Sequence, residues 1–213
     1  MVQRPKPEIR QAIQRAAAEA FADGGLERAA LGDIVARAGT SIGNFYKYFA
    51  SKDELFADFI PRGFTTELTN RVRTQVEALR AEPNVFSLDE GHPYRRASED
   101  LLAFTIAHRE QVVFLLRRAQ GTKHERFASE VVRLLVELAV EHARATYPAF
   151  AVTPAIKRTL TRIYKAFVAT LGTILAEERA EHAVREAVAQ QATYHLSGLE
   201  ALFASAETRE ASR

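Results

Sequence analysis

The chain has 213 residues, no cysteine, and 29 Lys plus Arg against 27 Asp plus Glu, for a net charge of +2. The missing thiols exclude disulfides, thiolate metal sites and thiol redox sensing. No apolar run reaches membrane-spanning length, since VVRLLVELAV is broken by Arg133 and Glu137, and the weak net charge leaves nucleic-acid binding open, because the placement of cations decides it.

In chain order, residues 1–6 read as a loose basic tail. The opening MVQRPKPEIR lacks the apolar core of a signal peptide, so a cytoplasmic location without membrane attachment is expected. Pro7 suits the first position of a helix and Glu8 its positive end. Ile9, Ile13, Ala16, Ala17, Ala20 and Phe21 form its apolar stripe, which Asp23-Gly24-Gly25 ends. A second helix is expected after Ala29-Ala30, with Ile34, Val35 and Ala38 on its apolar face. Gly39 stands where that helix must stop, and a left-handed residue is cheapest as Gly. Ser41 can cap a third helix, on which Ile42, Phe45, Tyr46 and Phe49 recur at helical spacing. Two helices joined by a short Gly-containing turn make a helix-turn-helix, spanning about residues 29–48.

Ser51 and Glu54 fit a capping box for a fourth helix. It carries Leu55, Phe56, Phe59 and Ile60, then Phe64, Leu68, Val72, Val76 and Leu79, and Pro61 kinks it. The kink marks a domain boundary, giving residues 1–60 and 61–213, and is the expected hinge between them. The fourth helix should end before Pro83, and AEPNVFSLDEGHPY reads as a loop. Leu101, Leu102, Phe104, Thr105 and His108 suggest the next helix, and Val112, Val113, Leu115 and Leu116 a short one ending near Gly121. Thr122 with Glu125 suggests another capping box, opening a helix to about Tyr147. Thr153-Pro154 reads as the start of a helix through Ile174, and the last helix carries Val184, Val188, Leu196, Leu199 and Phe203. The pattern is all-α, with about nine helices and no alternating strand.

The segments AIQRAAAEAF and DIVARAGTSIGNFYKYFASKDELF resemble the DNA-binding domain of the TetR family of transcriptional regulators. The Ala38-Gly39 turn, Tyr46 followed by Phe49, and Ser51-Lys52-Asp53-Glu54-Leu55 carry the likeness, which covers the first quarter to third of the chain. It implies a three-helix N-terminal domain that reads DNA and a C-terminal helical domain for ligand binding and dimerisation. The chain departs from the family pattern at Ala29 and Ala30, where a hydroxyl is usual, at Val35, where Ala is preferred, and at Thr40, where Val is usual.

Ser41, Ile42, Gly43 and Asn44 occupy the first turn of the recognition helix, which enters the groove first. Gly43 permits close approach, and the Asn44 amide suits both edges of adenine. Thr40, Tyr46 and Lys47 are placed for phosphates, and the resemblance implies that Tyr46 and Lys52 clamp the backbone. Phe45 and Phe49 read as core. Gly39-Thr40-Ser41-Ile42-Gly43 also matches the G-x-S-x-G nucleophile elbow, but that motif needs a strand before the serine. No enzyme is therefore expected. No cofactor or metal is expected either, Glu178 and His182 being explained by exposed pairing one turn apart.

In the resembled family the last two long helices pair with their twins. Ala166, Ala169, Gly172 and Ala176 form a small-residue row suited to such a homodimer. The family's middle helices enclose a ligand pocket, for which Phe86, Tyr94, Phe104, His108, Phe114, Arg117 and Phe127 are the candidates. The expectation is a homodimeric repressor that binds double-stranded palindromic DNA and is released by a small-molecule effector. The alternatives are a helical DNA-binding regulator without a small ligand, and a ligand-carrying or enzymatic bundle with a vestigial helix-turn-helix.

Overall fold

The computed structural model describes residues 6–79, 82, 84–148 and 150–210, with side chains described up to residue 204. The expected basic tail, apart from Lys6, and Pro83 lie outside the described residues. The described residues form ten α-helices and one 3₁₀ turn, Val85–Ser87, with no strand. The chain divides into two compact units, Met1–Thr65 with His108–Phe127, and Thr66–Ala107 with Ala128–Arg213.

The first unit contains α1 (Pro7–Arg28), α2 (Leu31–Arg37), α3 (Ile42–Phe45), α4 (Lys52–Phe59) and α7 (Arg109–Arg117). Helix α1 packs against α2, α4 and α7. It starts with Pro at its first turn and is interrupted at Gly25, whose φ of 79° and ψ of 173° leave the helical region. The expected stop at Asp23-Gly24-Gly25 is thus a kink followed by a last short turn. A side chain at Gly25 would also meet the Arg118 carbonyl oxygen at 3.1 Å. The core is aromatic. Phe21 contacts Phe56 and Phe59 at centroid distances of 5.6 and 5.3 Å, and Phe114 of α7 closes the cluster at 5.2 and 5.6 Å from the same two rings. Ile13, Ile34, Phe45 and Leu55 are fully buried around it, and Val35 fits among them. Arg10 and Gln14 of α1 both donate to Asp58 of α4, at 3.2 and 2.6 Å.

The capping expected at Ser51 is present. Its Oγ accepts from the Glu54 N–H at 3.1 Å, and Glu54 Oε2 accepts from the Ala50 N–H at 2.6 Å. The kinked fourth helix is instead two helices, α4 and α5 (Phe64–Glu77), which raises the helix count from nine to ten. Pro61 removes one backbone donor and Gly63 takes φ 90°, so the chain turns out of the helix rather than bending within it. The Pro61 carbonyl then accepts from the Phe64 N–H at 3.1 Å.

The second unit holds most of α5, then α6 (Pro93–Ala107), α8 (Phe127–Thr146, from Ala128), α9 (Pro154–Glu177) and α10 (Glu181–Glu210). Helix α6 starts eight residues earlier than the apolar pattern at Leu101, because Pro93 pre-sets its first turn. The expected capping box at Thr122 is a different structure. Thr122 Oγ1 accepts from the His124 N–H at 3.1 Å and donates to the Ala119 carbonyl at 2.7 Å, closing a turn ahead of α8. Thr153 caps α9 as expected, accepting from the Ile156 N–H at 3.2 Å. Helix α10 packs on α9 and α6, and Arg185 bonds Glu99 of α6 at 2.8 Å. Leu160, Val168 and Leu175 of α9 and Val184 and Phe203 of α10 are buried, Phe203 against the rings of Tyr147 and Phe150.

Candidate nucleic-acid interface

The turn between α2 and α3 is built by local chemistry. Gly39 adopts φ 66°, and its N–H bonds the Ala36 carbonyl at 3.1 Å. Ser41 Oγ then accepts from the Asn44 N–H at 3.2 Å, which fixes the start of α3. This hydroxyl is occupied as a helix cap, and a helix rather than a strand precedes it, so the G-x-S-x-G match is a helix-turn-helix turn. Regular helix ends at Phe45. The chain then continues through shorter-range bonds, Lys47 N–H to Asn44 and Tyr48 N–H to Phe45, until Phe49.

Burial sorts the side chains of this segment. Phe45 and Phe49 are core, their rings stacked 5.6 Å apart. Ile42 and Tyr46, read from the sequence as part of the same apolar repeat, are instead 48% and 57% exposed. About two turns of periodicity cannot distinguish a buried from an outward apolar residue on so short a helix. Ser41, Gly43 and Lys47 are exposed as well, and nothing lies within 4 Å of where a side chain would begin at Gly43. Thr40 and Asn44 are half-buried and joined, the Asn44 Nδ2 donating to Thr40 Oγ1 at 2.8 Å. That bond uses one of the two amide hydrogens. The second hydrogen and the carbonyl oxygen keep the pair of groups that adenine requires. Lys52 is half-buried at the start of α4. The structure therefore brings all eight residues singled out for DNA onto one continuous segment of the first unit. Sequence reasoning missed Tyr48, whose hydroxyl accepts from the Lys6 backbone N–H at 3.0 Å and fastens the entry to α1.

The residues singled out for a ligand pocket are dispersed. His108, Phe114, Arg117 and Phe127 belong to the first unit. Phe114 and Phe127 are buried there, and His108 lies edge-on to Phe64 at 5.3 Å. Phe104 is covered by the Arg71 guanidinium at 4.4 Å, and Phe86 is exposed on the 3₁₀ turn. Only Tyr94 of that set lines the cavity of about 120 Å³ inside the second unit, together with Gln75, His142, Tyr164, Phe167 and His195 among others. Those residues escaped notice because each sits on an ordinary helical stripe, and the polar aromatic character of Tyr164 and His195 was the available signal. Of the small-residue row, Ala166 and Ala169 are exposed, Ala176 is half-buried and Gly172 is buried.

Residues 13–59, which include α2, α3 and α4, match the model of the bacterial regulatory proteins, tetR family. The likeness to the tetR family thus lies in this N-terminal segment. The chain is 33% identical over 97 residues to the uncharacterized HTH-type transcriptional regulator YdgC of Bacillus subtilis (strain 168), covering 46% of this chain and 47% of that one. Another regulator of that organism, the uncharacterized HTH-type transcriptional regulator YvdT, is 49% identical over 43 residues, 20% of this chain and 22% of the other. The chain thus spans about half the length of the first of these curated relatives and about a fifth of the second. A TetR-like transcriptional regulator from Rhodococcus sp. RHA1 is 24% identical, with 94% of this chain and 96% of that one covered at a TM-score of 0.41. Against the family pattern, Ala30 stands at the N-cap of α2 and makes no side-chain cap bond. Any contact from this helix end to a phosphate would come from backbone N–H groups.

Proposed function

We propose that this chain is a tetR-family DNA-binding transcriptional repressor that acts as a homodimer in the cytoplasm and is released from a palindromic operator by a small molecule. Residues 1–60 would read the DNA, and residues 61–213 would bind the effector and the second copy. The observation that carries the reading is the family-matched helix-turn-helix with Ile42, Gly43, Tyr46 and Lys47 on its open side. Ile42 offers an apolar surface to a thymine methyl, Asn44 an amide to adenine, and Tyr46, Lys47 and Lys52 reach for phosphates. The outward Ala166 and Ala169 of α9, with Gly198 and the 79% exposed Tyr194 of α10, support pairing between copies. The cavity in the second unit supports a ligand.

Selection of bound duplexes from a random pool tests the proposal. The expected product is a palindrome with half-sites about 34–36 Å apart, or a multiple of that spacing. Affinity for it should fall steeply with added salt as phosphate contacts release counterions. A pool that shows no enriched sequence would overturn the reading.

Within the head, Asn44→Ala should relax preference at one base pair in each half-site by roughly 1–3 kcal/mol. Thr40→Val keeps the shape but frees the Asn44 amide to rotate, so it should relax the same position by less. Tyr46→Phe and Lys47→Ala should weaken binding to every sequence alike. Binding of all variants to single-base operator mutants measures this, and equal, sequence-blind losses would remove Asn44 from the reading.

A further inference from the structure

The cavity in the second unit has a wall chemistry that selects its occupant. Its volume of about 120 Å³ is slightly below the ~150 Å³ of an apolar cavity that holds benzene, so one six-membered ring is its natural content. Leu79, Leu135, Leu199 and Phe203 give it apolar sides. No Lys or Arg is among its described lining residues, and Glu200 is the acidic one. An anion entering it would lose hydration without gaining a counter-charge.

One end is polar without being charged. His195 is 9% exposed and lies flat on Phe167 at a centroid distance of 4.0 Å, with the Tyr164 ring edge-on at 5.0 Å. Ring contacts hold this imidazole, and no protein group among the described residues hydrogen-bonds it. Burial lowers its pKa to about 4, so near neutral pH it is the uncharged ring, with one donor and one acceptor nitrogen. Burial likewise raises the Tyr164 and Tyr94 hydroxyls above their ordinary range, which keeps both protonated. A polar ring held by stacking alone, at the wall of the cavity, keeps its nitrogens for a molecule bound there.

We infer that this cavity binds a neutral single-ring aromatic molecule carrying one hydroxyl-like polar group, with that group hydrogen-bonded to His195. The inference rests on the effector reading above and names the ligand class for it. Phenol, toluene and benzoate serve as the probes, titrated calorimetrically into the full chain without DNA. Phenol should bind once per chain, and more tightly than either of the others. His195→Phe preserves the stacked ring and removes both nitrogens. It should bring phenol down to the affinity of toluene, a loss of about 3- to 10-fold for one neutral hydrogen bond, while toluene binding is retained. Ala192→Phe, which fills the cavity from α10, should abolish binding of both, and its melting curve reports whether it is folded.

Absence of phenol binding up to its solubility limit would overturn the inference. So would benzoate binding as tightly as phenol, or phenol affinity left unchanged by His195→Phe. Operator affinity is then measured with and without saturating phenol. If phenol binds as described and operator affinity does not change, the ligand class stands and the release of DNA by an effector does not.

Discussion

Phe114→Ala should lower the stability of the protein by roughly 3–5 kcal/mol, the largest effect expected from a single substitution in the first unit. Phe114 is completely buried and meets both Phe56 and Phe59 edge-on. Truncation removes the apolar area of a full ring together with two favourable ring contacts. It also opens a cavity between the Phe56 and Phe59 rings that Phe114 contacts. Thermal unfolding should drop on the order of 10 °C. Phe86→Ala is the control, since Phe86 is 46% exposed and should shift stability by no more than about 0.5 kcal/mol. Equal effects at the two positions would show that α7 does not complete the aromatic core of the helix-turn-helix unit.

Acidification from pH 7 to pH 4 should cost about 3 kcal/mol through His195 alone. Its pKa in the folded chain is about 4 against 6.5 for the free side chain, and burial is the cause. The unfolded chain therefore takes up the proton first. Stability is complete above pH 6.5 and is lost as the pH falls toward 4, at about 1.4 kcal/mol for each pKa unit. His142 and His124 are shifted downward as well, both mainly by burial, and lose stability in the same direction. Glu200 is the acidic residue among those lining the same cavity. Urea unfolding at several pH values, in the natural chain and in His195→Phe, measures the contribution. A slope between pH 4 and 6.5 that is the same in both chains would show that His195 is not held neutral in the folded state.

The parts of the molecule legible in the sequence were those fixed by interactions three or four residues long. Ser41, Ser51 and Thr153 each cap a helix with a bond to the N–H three residues on. Gly39 is left-handed because the turn after α2 needs it. Together with the all-helical periodicity these set the helix-turn-helix and the family likeness. The same local reasoning failed where two local signals competed. Pro61 alone suggests a kink, but Pro61 followed by Gly63 ends the helix. Thr122 and Glu125 have capping-box spacing, yet the hydroxyl is spent on the preceding turn.

The sequence by itself thus determined the helical class and the helix-turn-helix. Only the tertiary structure decided that α7 completes the core of the first unit and that Tyr164 and His195 face the cavity of the second. Caps and turns are directional bonds between near neighbours, so residue type and spacing specify them. Burial of apolar area has no direction and no fixed separation along the chain. An aromatic stripe announces that a helix is packed, and the partner that covers it is settled when the whole chain folds.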